Sequence, residues 1–328
     1  MRLAASVLRC LAFTVACSSQ LSAQMAEAYR GVTHFDSLIV EGKDREAVGA
    51  LEFELGKANQ LGYGTLLLLP YRAKLAVEVG ALQEAVSSFK SPLASAADWA
   101  PWEGPERQRD RAALLLAVGD YKGAAEAAAE AYRLALKRGY HSVRIAYGES
   151  IEAEARLRLG DIAGAQQAMK TAIDILHKHR KLSPLFYVPR VFYTACLLKS
   201  YGASPGDAED ECKHGLALAE SVSRERRDIS LGYLTLAEAR LRRSDLPGAR
   251  QAASVGLDKT LKVLGGKHQD AARALQILAQ TDLKEGNAAA ARSHAETAIK
   301  VALAVFGDAS PKLAELKLEL AQSLDSPK

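Results

Sequence analysis

A short turn built on glycine or serine returns along this chain at a nearly fixed step. The turns fall at residues 42, 80, 119, 160, 202, 244 and 286, so successive steps are 38, 39, 41, 42, 42 and 42. A period of this length marks a stacked array. Each unit is one supersecondary piece that can bury its apolar face only against its neighbours. The clearest units are LLLAVGDYKGAAEAAAEA, ARLRLGDIAGAQQAMKTA, ARLRRSDLPGARQAASVG and TDLKEGNAAAARSHAETA. They turn at Gly119-Asp120, Gly160-Asp161, Ser244-Asp245 and Gly286-Asn287.

Small residues keep register with these turns. Alanine stands eight places before the turn Asp or Asn, at Ala112, Ala153, Ala237 and Ala279. It stands four places after, at Ala124, Ala165, Ala249 and Ala291. A third small residue stands eleven places after, at Ala131, Ala172, Gly256 and Ala298. Two antiparallel helices joined by a tight turn approach closely only where the facing side chains are small. The turn Asp or Asn is an N-cap for the second helix, accepting from its first-turn N–H groups. The glycine before it suits the left-handed exit of the first helix.

Composition agrees with helix. Apolar residues are 48% of the chain and aromatics only 6%, so Ala and Leu carry much of the apolar content; both lose little entropy in a helix. The net charge of +4 gives no basic excess for neutralising phosphates, which argues against a nucleic-acid partner.

These units resemble the tetratricopeptide repeat (TPR), a helix–turn–helix hairpin with small residues at fixed places. The last two are similar to its longer kinesin-light-chain-like subtype. There, Val263-Leu264-Gly265 with His268 and Ala272 is echoed one period later by Val305-Phe306-Gly307 with Pro311 and Ala314. The resemblance implies an all-α fold: a right-handed α-solenoid of about seven hairpins plus a C-terminal capping helix. The paired helices are expected at 25–41 and 45–61, 65–79 and 81–90, 106–118 and 121–138, 141–159 and 161–180, 184–201 and 206–222, 226–243 and 245–264, and 268–285 and 287–305, with the cap at 309–324. This divides the chain into divergent repeats over 24–90, a Pro/Trp-rich break over 91–105, and the solenoid proper over 106–325. Pro92, Pro101, Gly104 and Pro105 all resist helix in the break.

Residues 1–23 read as a secretory signal peptide: Arg2 and Arg9, a short apolar core from Cys10 to Cys17, then small polar residues to Ala23. Its removal would lower the net charge from +4 to +2, since it holds two arginines and no acid. Thr14-Val15-Ala16-Cys17 also resembles a lipobox, with Cys17 the lipidated residue, although leucine is missing at Thr14. Either reading sends the chain to the periplasm, the envelope or the exterior, with a lipid on Cys17 as its only membrane attachment. Cys196 and Cys212 remain after export. Both are read as small core residues, with a bridge across one hairpin as the alternative.

No catalytic or metal-binding pattern stands out. His177 and His179 point to different helix faces. Asp207, Glu209, Asp210 and Glu211 read as the acidic first turn of a helix. Gly62-Tyr63-Gly64 opens no phosphate loop. The expectation is no metal, no cofactor and no enzymatic activity.

The TPR resemblance implies that the first helix of each hairpin lines a concave groove. Aligned on the repeat, the groove residues are Arg109; Tyr147, Glu154 and Arg158; Phe192, Tyr193 and Lys199; Glu238 and Arg242; Arg273, Gln276 and Lys284. Arg158, Arg242 and Lys284 share one repeat position, with Lys199 beside it, and would form a ladder of cations. That ladder suits an acidic protein or peptide partner, although cations in a last turn also complement the helix dipole without any partner. The reading is an exported scaffold or adaptor. The alternatives are a lipid-anchored assembly component and an accessory subunit of an enzyme complex.

Overall fold

The computed structural model describes residues 103–139, 143–179, 187–202, 206–222 and 226–325, with scattered positions between 34 and 86. The expected signal peptide, Cys17 and most of the first two hairpins lie outside the described residues. From residue 103 onward the described chain is eleven helices: α1 Glu103–Val118, α2 Tyr121–Lys137, α3 Val143–Arg158, α4 Ile162–Lys178, α5 Val188–Ser200, α6 Gly206–Val222, α7 Arg227–Arg242, α8 Leu246–Val263, α9 Gln269–Lys284, α10 Ala288–Phe306 and α11 Pro311–Asp325. The architecture is an all-α solenoid of TPR-like hairpins. α1 starts three residues before the expected 106, because Gly104 and Pro105 sit in its first turn, where a missing N–H breaks no helical bond.

Each odd-numbered helix packs on the even one that follows, and α1, α3, α5, α7 and α9 also pack successively on one another. This produces an inner layer of odd helices and an outer layer of even ones. All twelve small residues in register with the four clear turns are buried, Ala112, Ala124, Ala165, Ala172, Ala237 and Ala249 completely. At Gly256 a Cβ would stand 2.6 Å from Leu234 Cδ2, so an alanine there would have to displace the Leu234 side chain.

The turns follow the residue chemistry. Gly119, Gly160 and Gly286 take φ of 87°, 81° and 82°, and Ser244 takes 61° in the equivalent place. The Asp120, Asp161 and Asp245 carboxylates accept from the backbone N–H of Gly123, Gly164 and Gly248, at 2.9, 2.9 and 3.0 Å. Asn287 makes no such bond. The residue three places on is alanine there rather than glycine, and the glycines leave the space that the capping carboxylate fills: a Cβ on Gly123 would lie 2.6 Å from Asp120 Oδ2.

Cys196 and Cys212 form a disulfide, both fully buried, with Cα atoms 5.3 Å apart. The expectation of two unbridged core cysteines is corrected on that point. Cys212 does fill a small buried site, and the hairpin brings it directly opposite Cys196 on α5.

The array closes on itself. The Ser310 hydroxyl donates to the Val118 carbonyl at 3.2 Å, and the Tyr121 hydroxyl donates to Glu315 at 2.9 Å. Val77 and Leu82 share an apolar cluster with Leu114 of α1 and Val305 of α10. Gln269 Nε2 donates to the Val77 carbonyl at 2.6 Å. Gly80, at φ 83°, lies against His268 and the Lys267 carbonyl, where a Cβ would meet atoms at 2.9 and 3.1 Å. Residues near 80 therefore touch the last hairpin, and residues near 120 touch both its end and α11.

Candidate functional site: a partly open cavity inside the solenoid

Closure turns the expected open groove into a cavity of about 960 Å³, walled by the odd-numbered helices. Of the residues aligned to the groove, Tyr147, Glu154, Arg158, Tyr193 and Glu238 line it, as do Arg242, Arg273, Gln276 and Lys284. Arg109, Phe192 and Lys199 do not. Arg109 is 1% exposed, donates to Asp110 at 2.6 and 2.9 Å, and lies over the Tyr187 ring. Its stem runs past Gly148, where a Cβ would lie 3.6 Å from Arg109 Cγ. Phe192 packs on His214, with ring centroids 4.3 Å apart. Lys199 turns outward to Glu211 at 2.6 Å. Phe192 sits one place from the lining Tyr193, and Lys199 two places from the lining Leu197 and Tyr201; each place on a helix is a rotation of about 100°.

The two ends of the cavity differ. At the N-terminal ends of the inner helices lies a buried ion network. Arg190 donates to both Glu78 oxygens at 2.8 and 2.7 Å and to Asp228 at 2.6 Å. Arg227 donates to Asp270 at 2.8 and 3.1 Å and to Glu78 at 3.1 Å. Burial pushes the Glu78 carboxyl up, but Arg190 and Arg227 outweigh burial and hold it well below the usual carboxylate range. Here paired charges are a packing device, since removing one partner would strand the other.

At the C-terminal ends the cation ladder meets Glu238. Arg158 forks onto Glu238 at 2.7 and 3.1 Å, reaching across α5 to α7, and also meets Glu154 at 3.4 Å. Arg273 reaches the same Glu238 at 2.9 Å. Arg242 stands 3.7 Å from Glu238, with its guanidinium 3.5 Å above the Tyr201 ring and bonded to the Tyr201 hydroxyl. Burial would raise the Glu238 carboxyl, yet Arg158 and Arg273 overcome it and depress it strongly. The ladder is therefore partly neutralised from within. Lys284 donates to the Leu241 carbonyl at 3.2 Å and pairs with no carboxylate among the described residues.

Sequence reasoning missed Arg190, Arg227 and Glu78. A signal was present: Arg190 and Asp228 are 38 residues apart, and Arg227 and Asp270 are 43 apart. Opposite charges about one repeat apart are candidates for pairing between neighbouring hairpins. Among the described residues no group of three or more His, Cys, Asp or Glu could hold a metal ion, and no helix is long and apolar enough to cross a membrane. The acidic stretch at the start of α6 is used structurally, with Glu209 paired to Arg240, Arg243 and Lys213.

The fold and its concave inner face define a TPR-like α-solenoid. Among solved structures it is similar to a Rap protein complexed with Competence and Sporulation Factor, at 13% identity and a TM-score of 0.63, over 91% of this chain and 88% of that one. It is also similar to a signal transduction ATPase with a TPR sensor from Pyrococcus horikoshii, at 14% identity and a TM-score of 0.50, over 87% of this chain and 47% of that one. A TPR protein from Parabacteroides merdae matches at 16% identity and a TM-score of 0.46, over 91% of this chain and 99% of that one. No protein-family model and no curated protein matches the sequence.

Proposed function

We propose that this chain is an exported, non-catalytic interaction protein that holds a short protein segment inside its cavity. The observation that carries the reading is the partly open inner cavity of about 960 Å³ with Arg242 and Lys284 exposed on its wall. That is the upper end of the roughly 300–1,000 Å³ common for ligand cavities, so the occupant is a peptide, tail or loop and not a folded domain. The complex of the similar Rap protein with its factor supports this reading. Export is supported by the N-terminal leader-like sequence and by the Cys196–Cys212 bridge, because disulfides persist in oxidising compartments.

The test is capture and sequencing of bound peptides. The whole chain and an Arg242→Glu/Lys284→Glu variant are each incubated with native envelope extract, crosslinked and analysed by mass spectrometry. A peptide crosslinked to cavity residues in the parent and lost in the variant is the expected result. Equal crosslinking confined to the even-numbered outer helices would refute cavity binding.

A further inference from the structure

We propose that the seam where the array closes is itself a binding element: α1 and the α10–α11 joint form the two walls of an apolar pocket, and a large apolar side chain of the occupant, seated between them, fastens the ring shut. This rests on the reading of the cavity as a peptide site.

The first argument is a break in the repeat. Three places before the turn Asp or Asn stand Arg158, Arg242 and Lys284, and seven places before it stand Glu154, Glu238 and Gln280. All six line the cavity. In α1 the same two positions hold Ala117 and Ala113. Those two, with Leu116, are all that α1 gives to the wall, whereas α3, α5, α7 and α9 each place at least one charged side chain there. The stretch of wall on α1 therefore carries no charge and no side-chain donor or acceptor. It is cut back to the β-carbon at the two positions where its sister helices carry long side chains. Ala113, Leu116 and Ala117 are only half-buried, so packing between hairpins leaves part of this surface uncovered.

The second argument is what stands beside it. Phe306, the last residue of α10, and Pro311, the first of α11, line the same cavity. Ala117 and Phe306 pack on one apolar cluster, that of Val77, Leu114 and Val305, so they flank the seam from its two sides. The α11 backbone reaches the turn after α1, where a Cβ on Gly119 would lie 3.0 Å from the Lys312 nitrogen. The two walls belong to opposite ends of the described array, and the pocket exists only while those ends touch.

The third argument is the occupant. Water held against an apolar recess is displaced favourably by an apolar group. The wall opposite is polar, with Thr194, Thr235, Arg273 and Gln276 on it. A wholly apolar molecule would strip water from those groups and give nothing in return. A peptide satisfies both sides, being apolar at one side chain and polar along its main chain. Two alanines in place of long side chains leave room for leucine or an aromatic ring. Since an open ring has no such pocket, that side chain binds the closed form alone and shifts the equilibrium toward it.

The probes are N-acetyl-phenylalanine amide and, as the polar control, N-acetyl-serine amide, each at millimolar concentration with the whole chain. Saturation-transfer NMR reads contact with the probe, and hydrogen exchange reads α11. The phenylalanine probe is expected to bind and to slow exchange in α11 severalfold; the serine probe is expected to do neither. Ala117→Arg and Ala113→Gln write residues of the sister helices into α1. They are expected to weaken the phenylalanine probe about tenfold and severalfold respectively. Thermal melts confirm folding, and Ala113→Gln, the smaller change, carries the test if Ala117→Arg does not fold. Equal binding by the parent and the folded variants, or no binding by the parent, overturns the pocket. Binding without slower exchange in α11 overturns its role in holding the ring. If the parent ignores the phenylalanine probe while the capture experiment still yields a peptide crosslinked to α7 or α9 inside the cavity, the interaction-protein reading stands and only the seam pocket falls.

Discussion

The Tyr121 hydroxyl donates to the Glu315 carboxylate across 194 residues, joining the first fully described hairpin to α11 at 2.9 Å. Burial and the Glu315 charge both raise the Tyr121 pKa, so the phenol stays a donor at any ordinary pH. A hydrogen bond to a charged group contributes roughly 1.5–3 kcal/mol when largely dry. Tyr121→Phe should loosen closure more than it lowers global stability, because Ser310 with Val118 still ties the same ends. Hydrogen exchange of amides in α11 should accelerate while α7 and α8 stay protected. Unchanged exchange in α11 would mean that this bond does not hold the ring shut.

The Asp-x-x-Gly caps give a prediction in which two substitutions interact. Asp120→Ala should cost about 1 kcal/mol. Gly123→Ala alone would gain helix propensity but push the Asp120 carboxylate out of its site. In the Asp120→Ala background nothing fills that space, so Gly123→Ala should stabilise by up to about 1 kcal/mol. Chemical denaturation of the four proteins closes the cycle. Strictly additive effects would show that glycine is not there for the cap.

What the sequence made legible was local. Turn glycines, capping aspartates and small contact positions act within one hairpin, so a period and three offsets were enough to place α2 to α10 within a few residues. The inner face followed because repeat position determines helix face, as for Arg158 and Arg242. Ring closure was not legible. It depends on twist accumulated over all hairpins, and no local pattern marks Tyr121 for Glu315. Nor was the capture of Arg158 by Glu238, since two residues 80 apart meet only once the array has curved. Arg109 was misplaced for a different reason: its repeat position faces inward, but the space beside Gly148 and the ring of Tyr187 draw it into the wall.

Cys196 and Cys212 close a loop of 16 residues. A loop of that size corresponds to about 3 kcal/mol of unfolded-state entropy on the chain-entropy model. Both sulfurs are buried, so a mild reductant should leave the native bridge intact and reduce it only near the unfolding transition. Cys196→Ala/Cys212→Ala should fold and melt lower. Rapid thiol labelling after reduction at room temperature would contradict the buried staple.

Glu149 on α3 is 3% exposed, and one of its oxygens has no hydrogen-bond partner among the described residues. Burial, with Glu152 adding repulsion and Arg156 opposing, pushes its pKa from 4.5 up to about 8; Tyr132 is the other titratable group that feels it. The folded state therefore binds this proton more tightly than the unfolded state. Its stabilising effect is complete below pH 4.5 and is lost as pH rises toward 8. Glu149→Gln should flatten stability across that window, with the largest gain over the parent at pH 8 and above. Parallel parent and variant curves would rule out Glu149 as the group responsible.

His268 has the opposite sign. It is fully buried, its Nε2 faces the Glu78 carbonyl at 3.1 Å, and its Nδ1 accepts from the Asp270 N–H at 3.1 Å, so the ring is neutral with its proton on Nε2. Burial lowers its pKa from 6.5 to about 4; Asp270 opposes this, Arg227 reinforces it, and Glu78 opposes it. The unfolded state takes up the proton first. The stabilising effect is present above pH 6.5 and is lost as pH falls toward 4. Glu78 and Asp270 both have lowered pKa values, so their stabilising effect is lost as pH falls through and below the ordinary carboxylate range, at the lower edge of the histidine's window. Glu149 runs the other way between pH 8 and 4.5 and masks the histidine, so the comparison belongs in the Glu149→Gln background. There, stability should decline as pH drops from 6.5 to 4.5, and His268→Asn should remove most of that slope while lowering stability at neutral pH. Exchange should rise first at amides near residue 78, because protonation acts where His268 meets the Glu78 carbonyl. A slope that survives His268→Asn would assign acid sensitivity to another group.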